Sequence, residues 1–155
     1  MPYLHATNGL LPEFLNVQKP VGVNAPNLTE DVKFVQRLLT TIYSTRYVKV
    51  AKNAGALWVK PSAAMEINGL CDAATRQWIF RFQIDLSNQV GSDILIDGRI
   101  DPATKASSTI LYLNRIHQLN YPDHHAALLR EWKPTAAQSL RRVVSETLRM
   151  PRLAH

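Results

Sequence analysis

The chain holds a single cysteine, Cys71, in 155 residues, so no intramolecular disulfide can form and the redox compartment stays open. No apolar run approaches the roughly 18 residues that a membrane span needs. The opening Met1-Pro2-Tyr3-Leu4-His5 lacks the basic segment and long apolar stretch of a secretory leader. The expectation is therefore synthesis in the cytoplasm without a signal peptide, and any work at the periplasm or cell wall would need a signal-independent route. Glycine is sparse, with six scattered residues, and neither a phosphate-cradling loop nor a dinucleotide fingerprint is present. His-Glu-x-x-His is missing too. Asp93, Asp97 and Asp101 fall at every fourth position, not at the alternate spacing of a calcium loop. These absences argue against the common nucleotide- and metal-dependent enzymes. Neither a cofactor nor a metal is expected.

What is present is a globular composition, 46% hydrophobic and 19% charged, which calls for a buried core. The net charge of +6 is uneven. Residues 130–155 hold six basic side chains against two acidic ones, a local +4, which leaves +2 for everything before them. A basic tail can favour nucleic acid, a membrane surface or an acidic wall polymer; a solvated helix face is the simpler account. Nucleic acid is disfavoured, because no recognised binding motif accompanies the charge.

Periodicity divides the chain into three parts: an extended lead-in over 1–26, a helical domain over 27–118, and a basic extension over 119–155. The lead-in carries Pro2, Pro12, Pro20 and Pro26 and shows no helical spacing. Asn27 and Glu30 read as a capping box, followed by the apolar stripe Val32, Val35, Leu38, Leu39 and Ile42. The β-favouring runs 47–50 and 57–60 flank the turn-prone Lys52-Asn53-Ala54-Gly55 and predict a small hairpin. A second helix is predicted from the cap Asp72, with Thr75, Trp78, Ile79 and Phe82 inward, ending near Asp85 or Leu86. A third is predicted from Asp101-Pro102 through Ala106, Ile110, Leu113 and His117. Residues 120–125 read as a loop. A fourth helix is predicted from Thr135, with Gln138 completing a capping box and Ala136, Leu140, Val143, Val144 and Thr147 as its stripe. The fold class is thus mostly α, with a small β-hairpin insertion and an extra C-terminal helix.

An internal repeat underlies this order. Asn68-Gly69-Leu70-Cys71-Asp72-Ala73-Ala74-Thr75 aligns with Asp97-Gly98-Arg99-Ile100-Asp101-Pro102-Ala103-Thr104 at an offset of 29 residues, with Gly, Asp, Ala and Thr in register. Each copy is a tight turn leading into a helix. Together with Asp31-Val32, Val35-Gln36, Leu38-Leu39 and Phe80-Arg81-Phe82-Gln83, it resembles the three-helix peptidoglycan-binding domain family. There the first helix carries Val-x-x-Leu-Gln-x-x-Leu, and the second follows Asp-Gly-x-Phe-Gly-x-x-Thr and ends in Phe-Gln. The resemblance covers residues 27 to about 114. Asn68 stands where that family has Asp, Cys71-Asp72 where it has an aromatic or aliphatic residue and Gly, and the 44–66 connection is longer. Val21-Gly22-Val23-Asn24-Ala25-Pro26-Asn27 is similar to a variant found near contractile secretion or phage-like machinery.

The resemblance implies a shallow groove beside the repeats. The residues with suitable chemistry are Asn68, Asp97 and Arg99 from the turns, and Tyr43, Tyr47 and Trp58 from the adjoining insertion. Aromatic faces suit sugar rings, and Arg99 suits a stem-peptide carboxylate. The bland account is that the turn residues cap helices and the aromatics pack. Trp78 and Phe82 read as core. Cys71 lacks a neighbouring base and reads as a buried small hydrophobe, while His124 and His125 read as solvent-exposed. No catalytic residue is assigned. The expected function is non-catalytic recognition of cell-wall peptidoglycan, positioning a partner at the wall. The rival is a structural adaptor of a contractile secretion or phage-like assembly. A protein partner is also expected for the C-terminal helix, which as a lone amphipathic segment is marginal.

Overall fold

Helix α1, Thr29–Ile42, forms where the apolar stripe predicts it, and Val32, Val35, Leu38, Leu39 and Ile42 are all fully buried. The molecule is seen in a computed structural model that describes residues 2–6, 13–51, 54–91, 93–103 and 108–131. The expected capping box is absent. Asn27 sits at φ +52°, its Oδ1 accepts from Gly22 N at 2.7 Å, and its Nδ2 donates to the Gly22 and Ala25 carbonyls. An amide committed to that loop cannot also serve the helix, so Leu28 holds the N-cap position with no side-chain bond.

Helix α2 spans Ala73–Val90 and starts as predicted: Asp72 Oδ1 accepts from Thr75 N at 2.8 Å and from Thr75 Oγ1 at 2.9 Å. Its inner face is Thr75, Trp78, Ile79 and Phe82. It runs past the expected end because nothing before Gly91, at φ +101°, breaks it.

The third helix departs more from expectation. Helix α3 is Thr109–Asn120, and residues 101–103 are not helical. Asn16 accounts for this: its Oδ1 accepts from Ala103 N at 2.8 Å, which ties the segment to the chain's beginning. Thr104 lies outside the described residues, as do the helix predicted from Thr135 and most of the basic tail. The predicted loop over 120–125 is instead the start of helix α4, Pro122–Glu131. Pro122 suits the first helical position and Asp123 the first turn, where the helix dipole favours an acid.

The lead-in is a working part of the core. Strand β1 (Tyr3–Ala6) pairs antiparallel with β2 (Glu13–Asn16), Tyr3 opposite Asn16. Strand β3 (Val21–Gly22) pairs with β6 (Arg99–Ile100). Phe14, Leu15, Val17 and Val21 are buried beside the helical apolar residues. Asn114 of α3 holds Leu15 by both backbone groups, accepting its N–H at 3.0 Å and donating to its carbonyl at 2.9 Å. The buried Asp31 takes the N–H groups of Gln18 and Lys19. No break in the core falls at residue 26.

Strands β4 (Tyr47–Ala51) and β5 (Ala54–Leu57) form the hairpin, with an irregular register between Lys49 and Ala51. The second strand lies three residues earlier than predicted, and Trp58, whose backbone N–H still bonds the Arg46 carbonyl at 3.2 Å, buries its side chain in the core. Four helices and three two-stranded antiparallel sheets make up the described architecture. Among the described residues no helix is long and apolar enough to cross a membrane.

Candidate functional site

The two repeat turns are built by the same device. Gly69 (φ +78°) and Gly98 (φ +69°) occupy the left-handed region that favours glycine. Asn68 Oδ1 accepts from the N–H two residues on, Leu70, at 2.9 Å, and Asp97 Oδ1 does the same for Arg99 at 3.0 Å. Each turn is then gripped by a glutamine. Gln36 Oε1 accepts from Gly69 N at 2.9 Å, and its Nε2 donates to the Leu70 carbonyl at 3.0 Å and to Asn68 Oδ1 at 3.3 Å. Gln83 Oε1 accepts from Gly98 N at 2.8 Å, and its Nε2 donates to the Arg99 carbonyl at 2.9 Å and to Asp97 Oδ1 at 3.1 Å. Gln36 additionally donates to Thr75 Oγ1 at 2.9 Å, linking α1 to α2. Both glutamines are fully buried.

Asn68 and Asp97 therefore spend an oxygen inward, as the bland account expects. Arg99 is also engaged, donating from Nε to Asp101 Oδ1 at 2.8 Å and from Nη1 to the Asn24 carbonyl at 3.1 Å. A Cβ on Gly22 would strike the Gly98 carbonyl, so the 21–27 loop lies directly on the second turn.

The aromatic candidates gather elsewhere. Tyr43 and Trp58 are buried, 4% and 2% exposed, with ring centroids 6.0 Å apart, and Trp58 meets Phe82 edge-on at 5.6 Å. Tyr43 Oη donates to Asp85 Oδ2 at 2.6 Å, while Arg81 donates to Asp85 Oδ1 at 2.5 Å. Burial, reinforced by the Asp85 carboxylate, pushes the Tyr43 phenol far above its ordinary pKa. These faces cannot lie flat against a sugar without the core opening. Of the three aromatic candidates only Tyr47, 63% exposed on β4, presents a free ring surface. Among the described residues no hydrogen bond, ion pair or ring contact joins the aromatic group to the turn group.

A cavity of about 440 Å³ does open between the end of α1 and the chain leaving β5. Tyr43 and Trp58 line it with Ser44, Arg46 and Lys60, and no acidic residue does. Two cations without a lining carboxylate favour an anionic group there. Lys60 Nζ also stands 5.7 Å from the Trp78 ring centroid. The indole N–H of Trp58 is buried and finds no acceptor among the described residues.

Cys71 is half-buried, not fully buried, and burial raises its thiol pKa, the wrong direction for a nucleophile. His125, expected at the surface, is 1% exposed, whereas His124 is exposed and stacks on Tyr121. Helix α4 explains the split, since neighbouring residues on a helix point about 100° apart. Among the described residues no three His, Cys, Asp or Glu side chains come together as a metal site.

Reasoning from sequence left Gln36 and Gln83 without a role and passed over Arg46 and Lys60. The signal for the glutamines was present: each follows an apolar core residue and precedes an Asx-Gly pair. Comparison of the chain with protein-family models, with curated proteins and with solved structures finds no match.

Proposed function

We propose that this chain is a non-catalytic binding module for bacterial cell-wall peptidoglycan, built on a divergent three-helix core of α1, α2 and α3. One observation carries the reading. Residues by which the sequence resembles the peptidoglycan-binding domain family, Gln36, Gly69, Thr75, Gln83 and Gly98, are hydrogen-bonded around the two turns, one glutamine at each. The binding face is the cavity beside the hairpin, where Arg46 and Lys60 receive stem-peptide carboxylates, together with Tyr47, which follows Arg46 outside the cavity lining and offers its exposed ring to a sugar. Arg99, Asn68 and Asp97 then support the fold through the turns. On this reading the chain does no chemistry on the polymer, and a catalytic partner would come from another protein.

A second reading, an adaptor acting through protein contacts, is favoured by one other surface. Phe80 and Ile84 share the exposed side of α2, and Leu95 and Ile96 are exposed on the loop that follows it. Exposed large apolar side chains of this kind mark protein interaction more than glycan binding.

Co-sedimentation with purified sacculi tests the first reading, at low salt and at ~0.5 M salt, where screening acts within a few Å. Pelleting that persists at high salt and falls at least about tenfold in a Tyr47→Ala, Lys60→Ala variant supports it (about 1.4 kcal/mol or more of binding free energy). Absence of pelleting at either salt overturns it and leaves the adaptor reading.

A further inference from the structure

The joint between α3 and α4 holds a pair of imidazoles that neither reading uses. His117 and His125 are 3% and 1% exposed, and their Nδ1 atoms lie 2.9 Å apart. A bond at that distance needs one ring to donate N–H and the other to accept on a bare nitrogen, so the accepting ring is neutral, and burial disfavours a charge on the donating ring as well. Their tautomers follow from a second observation. His125 Nε2 is buried with no partner among the described residues, whereas His117 lines a cavity of about 220 Å³. Were His125 the acceptor, its Nε2 would carry a buried N–H with nothing to receive it, which is costly. His125 Nδ1–H therefore donates and His117 Nδ1 accepts.

We propose that this pair is an acid-released latch holding α4 onto α3. A proton added at His117 Nδ1 sets two N–H groups against each other across the closest contact of the joint. A proton added at His125 Nε2 creates a buried cation with no acceptor. The charged and titratable groups around the pair offer no relief. From α1 comes Arg37, a further positive charge; its ion-pair partner Glu131, at the end of α4, is spent on it at 3.2 Å. From α4 comes His124, and from the α3–α4 junction Tyr121, whose ring centroid is 6.2 Å from that of His117. On β4, Lys49 meets α3 through backbone groups, which Asn120 binds.

Burial is the main cause that depresses both rings to a pKa of about 4, helped at His117 by the charges of His125, His124 and Arg37. The sign follows from linkage. In the opened joint each ring titrates near its ordinary value of about 6.5. The closed joint keeps its full stability above that pH and loses it as pH falls from about 6.5 toward 4. Opening frees α4 from its junction at Tyr121-Pro122.

Backbone hydrogen exchange of the full chain, corrected for intrinsic rates, tests this between pH 7 and pH 4.5. The α4 amides should show an opening constant that rises about ten- to a hundredfold per pH unit below about 6, for one or two protons taken up. The α2 amides should not follow. A His117→Leu, His125→Leu variant should abolish the dependence. If that variant does not fold, ring nitrogen chemical shifts of the native protein serve instead: neutral rings in the assigned tautomers at pH 6 are expected. Protection of α4 that is flat with pH, loss in α2 and α4 together, or a charged ring at pH 6 would overturn the latch.

Discussion

Replacing Gln36 by methionine is the sharpest probe of the glutamine grip on the turns, because it keeps the side chain's length and removes only its hydrogen bonding. Five bonds are lost. Oε1 no longer accepts from Asn68 N at 3.1 Å or Gly69 N at 2.9 Å, and Nε2 no longer donates to Asn68 Oδ1, the Leu70 carbonyl and Thr75 Oγ1. The losses are unequal. Thr75 Oγ1 keeps its bonds to Asp72 and Leu70, and Asn68 and Leu70 are exposed and can rehydrate. Gly69 is buried, and its N–H is left without an acceptor, at about 1–3 kcal/mol. With the other bonds at about 0.5–1.5 kcal/mol each before rehydration and the gain of a buried apolar tail, the net loss is about 2–4 kcal/mol. Gln83→Met orphans one buried N–H, that of Gly98, and breaks two further bonds, so its loss should be no larger. Urea unfolding at constant m-value measures both. A Gln36→Met loss below about 0.5 kcal/mol, the scatter of ordinary surface changes, would refute that grip as stabilising.

Two further perturbations separate backbone strain from crowding and from polar burial. Gly98→Ala must accept a left-handed residue and drive a Cβ into the Phe80 ring, whereas Gly91→Ala meets the same kind of strain in open space. The first should cost about 2–4 kcal/mol and the second about 1 kcal/mol, by thermal or urea unfolding, and equal losses would count against the packing of Phe80 on the turn. Tyr43→Phe should destabilise by about 1–3 kcal/mol, since Asp85 loses a buried donor while Arg81 stays in place; stability unchanged within error would mean the bond contributes nothing net.

How much of this could be read beforehand depended on whether a residue's role was local. The stripe from Val32 to Ile42 and the Asp72 cap follow from neighbours three or four positions away, and both are found. Roles set by distant partners were hidden. Asn27 looks like a helix cap until Gly22 claims its side chain, and Asp101-Pro102 looks like a helix start until Asn16 holds Ala103. Residues 13–22 contain no long periodic run, because four short apolar contacts and one asparagine clamp suffice to bury them. Of the candidate site, the two Gly turns were legible as turns from their Asx-Gly pairs. That Tyr43 and Trp58 face inward was not, because an aromatic beside a hairpin packs or protrudes according to tertiary neighbours that lie far along the chain.

The asparagine clamp also sets an order on assembly. Leu15 and Asn114 are 99 residues apart, and Asn16 and Ala103 are 87 apart. On a ribosome the N-terminal strands emerge first, yet the surface that receives them is among the last parts of the described chain to be made. Until Asn114 is out, Phe14, Leu15 and Val17 have no α3 to rest on, so the early chain carries an apolar segment in waiting. Closing so long a loop costs entropy that local helices do not incur, which makes the docking of residues 13–17 a late folding event. The beginning of this protein is in that sense its last piece to settle.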